Sequence, residues 1–239
     1  MSDTKERVAL AQQIKTLHEL NQQMSKDANN LTKALKGDSK IQGTWGEYIL
    51  ESVLEKSGLV KGREYQIQEN LKSDDGKNLR PDVIIYLPDE KCIIIDSKVS
   101  LLAYEQCVSC EDEIERAAFL KEHVRSIKNH IKGLGEKNYQ NIYQVNSPDF
   151  VLMFVAIEPA FAMAIQNDNN LFYEAFEKNI VLVSPSTLLA TLRTIANIWK
   201  QENQNRNVLE IAKQSGEMVR TRLDRLVDRG SGRHCAASW

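Results

Sequence analysis

The 239 residues are 42% hydrophobic and 27% charged, a balance that excludes a mainly disordered or collagen-like chain, and the length admits one large domain or two small ones. A formal net charge of −2 provides no global attraction for nucleic acid, so any such binding needs a local basic face. No run of about 18 apolar residues spans a bilayer, residues 1–7 lack the apolar core of a secretory signal, and four scattered cysteines (Cys92, Cys107, Cys110, Cys235) make no disulfide scaffold; together these point to a reducing cytoplasm.

In chain order, Leu10, Ile14, Leu17, Asn21, Met24, Ala28, Leu31 and Leu35 recur at alternating four- and three-residue steps, the a/d seam of a coiled coil. Residues 1–38 read either as a dimerisation stalk, making the chain a homo-oligomer, or as a long helix lying on the protein's own body. Gly37-Asp38-Ser39 ends that helix. A second helix is expected over 44–57, with Trp45, Ile49, Val53 and Leu54 on its apolar side and Gly58 as its stop. Three extended runs follow, over 64–71, 81–87 and 91–99. Asp74-Asp75-Gly76 turns the chain between the first two, and Pro88-Asp89-Glu90 between the last two.

A helix over 111–134, a buried strand over 150–157, short helices over 160–166 and 171–177, and a strand over 180–183 come next. Ser184-Pro185-Ser186-Thr187 opens a final helix, or pair of helices, reaching about residue 228. Strands interleaved with helices predict an α/β fold with a mixed central sheet flanked by helices, preceded by the N-terminal helical stalk. The domain so defined covers 39–228. Residues 229–239 lack periodicity and look like an artificial tail.

The second and third extended runs form a hairpin centred on Asp89, which places Asp82 opposite Asp96 with Cβ atoms about 5 Å apart. Asp96 and Lys98, two apart on one strand, share a face. Two buried carboxylates need compensation, and a divalent ion with oxygen ligands supplies it. The alternative is an edge hairpin whose Asp and Lys side chains are solvated.

Further along, Lys121, Arg125, Lys128 and Lys132 form a stripe on the 111–134 helix. It lies about 100° from the apolar stripe of Leu120, Val124, Ile127, Ile131 and Leu134. The basic stripe is either a DNA-phosphate face, joined by Arg193 from the last helix, or a solvated surface. His123 and His130 read as a satisfied, partly buried pair, and Cys107-Val108-Ser109-Cys110 as a loop before a helix. Leu192, Ile195 and Trp199 read as core. No phosphate-binding P-loop is present, which argues against ATP hydrolysis by this chain.

Pro81-Asp82 followed by Asp96-Ser97-Lys98 resembles the PD-(D/E)xK motif of restriction-endonuclease-like nucleases. The wider text carries more: Gly43-Thr44-Trp45-Gly46-Glu47, the block 80–100, Asp149-Phe150-Val151-Leu152-Met153-Phe154, Ile157-Glu158-Pro159-Ala160-Phe161, and Asn179-Ile180-Val181-Leu182-Val183-Ser184-Pro185-Ser186-Thr187-Leu188-Leu189. Over residues 8–228 the chain resembles the RmuC family of bacterial DNA recombination proteins. That resemblance implies a restriction-endonuclease-like fold and a metal-dependent deoxyribonuclease that limits DNA rearrangement. It implies Mg²⁺ or Mn²⁺ held by Asp82, Asp96, the Ser97 carbonyl and Glu47, with Lys98 positioning the attacking water. Glu47 also fits a plain acidic stripe with Glu51 and Glu55. Family members usually carry a membrane anchor and a longer coiled coil, so the chain reads as an internal fragment. DNA, a second copy of the chain and other recombination proteins are the expected partners. The rival expectation is a non-catalytic DNA-binding scaffold assembled through the coiled coil.

Overall fold

A computed structural model gives the fold and describes residues 39–68, 71–72, 78–88, 91–97, 101–137, 139 and 150–231. The coiled-coil seam, the oligomer expected from it, the Asp74-Asp75-Gly76 turn, Lys98 and residues 232–239 lie outside the described residues. The chain divides into two compact units, one reaching Ala196 and one beginning at Asn197.

In the first unit, helix α1 (Ser39–Ser57) starts ahead of the expected position 44 and takes Gly43 into its length. A glycine inside an exposed helical turn costs about 1 kcal/mol, which burial of Ile49, Leu50, Val53 and Leu54 outweighs. Gly58, at φ +89°, ends the helix in the left-handed conformation that glycine adopts without penalty.

The expected strand over 64–71 is broken in two. Glu64 is a buried turn acid: its Oε2 accepts Val60 N–H at 2.8 Å and its Oε1 accepts from Arg63. Gln68 has φ +52°, which stops extended pairing. The result is β1 (Tyr65–Ile67), then a separate small ladder of β2 (Leu71–Lys72) and β3 (Asn78–Leu79). The hairpin forms as β4 (Val83–Tyr86) and β5 (Cys92–Asp96), with Val83 opposite Ile95 and Ile84 opposite Ile94, the register expected from a turn at Asp89.

Between β5 and the next strand lie α2 (Leu102–Ser109) and α3 (Glu113–Glu136). Cys107 does not lie in the expected loop: it sits on a helix, and Cys110 is its C-cap. Buried Leu101, Tyr104 and Cys107, at helical spacing, supply the reason. Helix α3 starts at Glu113 because Asp112 is its N-cap, with Oδ1 accepting the N–H groups of Ile114 and Glu115, each at 2.9 Å.

Strand β6 (Val151–Phe154), buried throughout, leads through α4 (Glu158–Asn167) and α5 (Leu171–Phe176) to β7 (Ile180–Val183) and then α6 (Pro185–Ser231). The last helix is single and runs past Arg229 and Gly230 into the presumed tail. It straddles the division between the units: Leu188, Leu189, Leu192 and Ile195 are buried in the first, whereas Ile198, Val208 and Ile211 in the second are exposed and Trp199 is half-buried.

The sheet order is β1-β4-β5-β6-β7, antiparallel from β1 to β5 and parallel from β5 to β7. It is the mixed, helix-flanked sheet expected. One face packs against α3: Ile127, Ile131 and Leu134 join Ile84, Ile94, Val151, Met153, Ile180 and Leu182 in a single apolar cluster. Side chains alternate across a strand, so Asp82 and Asp96, two positions from Ile84 and Ile94, belong to this α3-covered face. No helix among the described residues is long and apolar enough to cross a membrane.

Candidate active site

Asp82 lies at the entry to β4 and Asp96 at the exit of β5, with 9% and 3% of their surfaces exposed. Asp82 Oδ2 accepts the Ser97 backbone N–H at 2.8 Å, so its carboxylate is fixed across the hairpin beside the residue that follows Asp96. Asp96 Oδ1 accepts from Lys137 Nζ at 2.8 Å and from Tyr139 Oη at 3.4 Å. Both charges are felt at Tyr139. Burial holds its phenol well above the ordinary tyrosine range, and the negative charges of Asp96 and Asp82 push it further. The half-buried His130 responds to the same site: burial lowers its pKa, while Asp96 opposes and Lys137 reinforces that shift.

Lys137 and Tyr139 are absent from the sequence-based site. They follow the end of α3, and no local pattern marks them; only the packing of α3 on the sheet brings them to Asp96. Gly46 was part of a recognised block, and its role is now concrete. A Cβ built there would lie 3.5 Å from Ser97 Oγ and 3.9 Å from the Ser97 carbonyl oxygen, so α1 approaches the end of β5 closely at this point. Glu47, the next residue, is exposed. Ser97 Oγ is a buried hydroxyl with no hydrogen-bond partner among the described residues.

Asp82 and Asp96 are therefore brought to one end of the hairpin with Ser97, and Glu47 stands on the helix that meets that end. Their donor chemistry, carboxylate and carbonyl oxygen, suits a hard divalent ion such as Mg²⁺. Among the described residues, no three His, Cys, Asp or Glu side chains already stand together as a metal-holding group.

The basic stripe is less uniform than its spacing suggests. Lys121 and Lys132 are exposed, and Arg125, also exposed, pairs with Glu122 at 3.0 Å. Lys128 is held by Asp168 and Glu174, each at 2.7 Å, so its charge is neutralised within the fold. Those two partners raise its pKa, Asp168 first. Arg193 is half-buried on α6, a different element. Accordingly, Lys128→Ala is expected to lower stability by about 1 kcal/mol, and Lys121→Ala to leave it unchanged; thermal denaturation of the two proteins checks this.

The histidines are not one pair. Seven residues apart on α3, they are separated by about 10 Å of helix rise. His123 is completely buried, packs 5.7 Å from the Tyr104 ring, and has Nε2 2.9 Å from the Ala160 carbonyl oxygen. A carbonyl only accepts, so Nε2 donates and Nδ1 is a buried acceptor, with no partner among the described residues. Burial lowers the His123 pKa, and the bond to Ala160 opposes that shift. The unfolded chain therefore binds more protons once pH drops below about 6.5. Stability is full above that pH and falls below it, by up to about 1.4 kcal/mol per pH unit, until the folded-state pKa is reached. Urea midpoints measured from pH 7 to pH 5 should fall in the wild type and fall less in His123→Gln.

Cys92, Cys107 and Cys110 form no disulfide, and burial pushes the thiol of Cys92 up to about 11, which leaves it inert at neutral pH.

The sequence model of the RmuC family matches residues 1–231. The chain belongs to the RmuC family. It is 49% identical over 216 residues to the DNA recombination protein RmuC homolog of Pseudomonas aeruginosa, with 90% of this chain and 48% of that protein aligned. Against the Neisseria meningitidis serogroup A homolog the identity is 51% over 221 residues, covering 90% of this chain and 37% of the relative. The DNA recombination protein RmuC of Escherichia coli is 46% identical over 216 residues, covering 90% and 46%. The chain thus spans less than half the length of these RmuC relatives.

Proposed function

We propose that this RmuC chain carries a metal-dependent DNA phosphodiesterase of PD-(D/E)xK type, acting in DNA recombination. The observation that carries the reading is the pair of buried carboxylates on one sheet face, with Asp82 bonded to the Ser97 amide directly after Asp96. The names of the relatives, all DNA recombination proteins, support DNA as the substrate.

Asp82, Asp96, the Ser97 carbonyl and Glu47 would hold Mg²⁺ or Mn²⁺. Such an ion supplies Lewis acidity, activating water and neutralising charge on the phosphodiester. Asp82 and Asp96 would supply the negative charge that holds the ion, and the Ser97 amide fixes the orientation of Asp82. Lys98 orients the attacking water and offsets charge on a phosphate oxygen. Lys121, Arg125 and Lys132 offer phosphate contacts on the outer side of α3. The coiled-coil segment would join two copies, and recombination proteins are the expected further partners.

A second reading, a non-catalytic DNA-holding scaffold, has one specific observation in its favour. Lys137 forms an ion pair with Asp96, one of the two carboxylates in question, at 2.8 Å. Incubation of the purified protein with end-labelled linear, circular and branched DNA, with Mg²⁺ or Mn²⁺ and with EDTA, separates the two. Cleavage that needs the ion is expected. DNA binding with no cleavage under any of these conditions would favour the scaffold.

A further inference from the structure

Lys137 is the residue immediately after α3, and its ammonium contacts Asp96 Oδ1 at 2.8 Å. The pair is asymmetric. Asp96 keeps 4% of its side-chain surface exposed and Lys137 keeps 35%, so one end is fixed in the sheet and the other reaches water. The main chain of Lys137 is anchored by its N–H to the Leu134 carbonyl at 3.2 Å. Its four-carbon stem is therefore the part free to change course, and a lysine ammonium is a compact charge with no fixed fork to keep it in register. Nothing else in the pair has this freedom. Asp96 lies on a strand whose neighbours on both sides are hydrogen-bonded to it.

The contacted oxygen belongs to the carboxylate that the phosphodiesterase reading assigns to a divalent ion. Two cations on one carboxylate oxygen repel each other, and Asp96 is buried enough that water screens that repulsion only from the Lys137 side, so lysine and metal compete for that oxygen. We propose that Lys137 is a displaceable counter-ion of Asp96: it holds a cation position on that carboxylate, gives way when a divalent ion binds, and so sets how tightly that ion is held. This rests on the reading of Asp82 and Asp96 as metal ligands. The Tyr139 ring, 5.6 Å from Nζ, steadies the ammonium while it is docked. The physical logic is that burying a carboxylate is costly, and a displaceable lysine on Asp96 offsets part of that cost without closing the site permanently.

The test is calorimetric titration of the full chain with Mn²⁺ alone, with circular dichroism as a check on folding. Lys137→Met is expected to bind Mn²⁺ at least fivefold more tightly than wild type, Lys137→Arg to bind no more tightly than wild type, and Asp96→Asn to lose the site. A measurement on the unaltered protein runs alongside: acetylation of individual lysines, read by mass spectrometry, with and without Mn²⁺. Mn²⁺ should raise the acetylation rate of Lys137 severalfold and leave exposed Lys121 unchanged. If Lys137→Met fails to fold, this second measurement decides. Mn²⁺ binding of equal strength in wild type and Lys137→Met, with the Lys137 reactivity unmoved, overturns the inference and leaves the metal site standing. Absence of Mn²⁺ binding by every protein, at millimolar ion, overturns the metal reading itself and the inference with it.

Discussion

Asp96→Asn is expected to reduce metal-dependent DNA cleavage by on the order of 10³-fold or more, while the protein remains folded. The substitution keeps the volume and one acceptor oxygen but removes the charge that a divalent ion needs. Two effects on stability oppose each other. Lys137 loses its ionic partner, and the repulsion between two buried carboxylates disappears. Because Lys137 is partly exposed, its ammonium can turn to water, so the first effect is softened and the fold survives. Lys98→Ala is expected to abolish cleavage as well, but to leave Mn²⁺ binding in place, because the proposed phosphodiesterase uses Lys98 to orient water and not as a ligand. Single-turnover cleavage assays with circular dichroism on both purified variants check this. Wild-type cleavage rates in either variant would end the nuclease assignment.

That the register of the hairpin was legible before the structure has a simple cause. The apolar residues of β4 and β5 flank a strong turn signal, and strand parity leaves one way to pair them; Val83 opposite Ile95 carries the register directly to the two acids. The order of the remaining elements was also readable, because each is bounded by a cap or a breaker, such as Asp112 before α3 and Pro185 at the start of α6. What local pattern does not encode is which elements meet. Lys137 and Tyr139 stand 41 and 43 residues from Asp96, and their arrival depends on the length of α3 and its angle on the sheet. The basic stripe shows the same limit. On a helical wheel Lys128 resembles Lys121, yet α5 and the end of α4 bring Glu174 and Asp168 to one and not the other. Helix α2 was concealed differently, since a pair of cysteines drew its segment toward a loop reading although its apolar spacing was helical.

Glu158→Ala should lower stability by about 2–3 kcal/mol, or about 5–10 °C in melting temperature for a unit of this size. Glu158 opens α4, but its carboxylate serves the start of α6. Oε1 accepts from Ser184 Oγ at 2.7 Å, and Oε2 accepts from Ser186 Oγ at 2.9 Å and from Ser186 N–H at 3.1 Å. A negative charge at a helix N-terminus is favourable, and the Ser186 amide is one of the donors that such an end leaves without an intrahelical acceptor. Ser184 N–H donates in turn to Thr187 Oγ1 at 2.8 Å, so loss of the carboxylate loosens a connected set of bonds. Because β5, β6 and β7 run parallel, this network follows the C-terminal end of β7, the same end of the parallel strands as Asp96 on β5, two strands away in the order. Glu158→Gln, which keeps an acceptor but not the charge, should fall between Ala and wild type. Both variants should retain cleavage below their melting temperatures. A variant that melts like wild type yet no longer cleaves DNA would show that Glu158 acts in the reaction and not in the framework of the sheet.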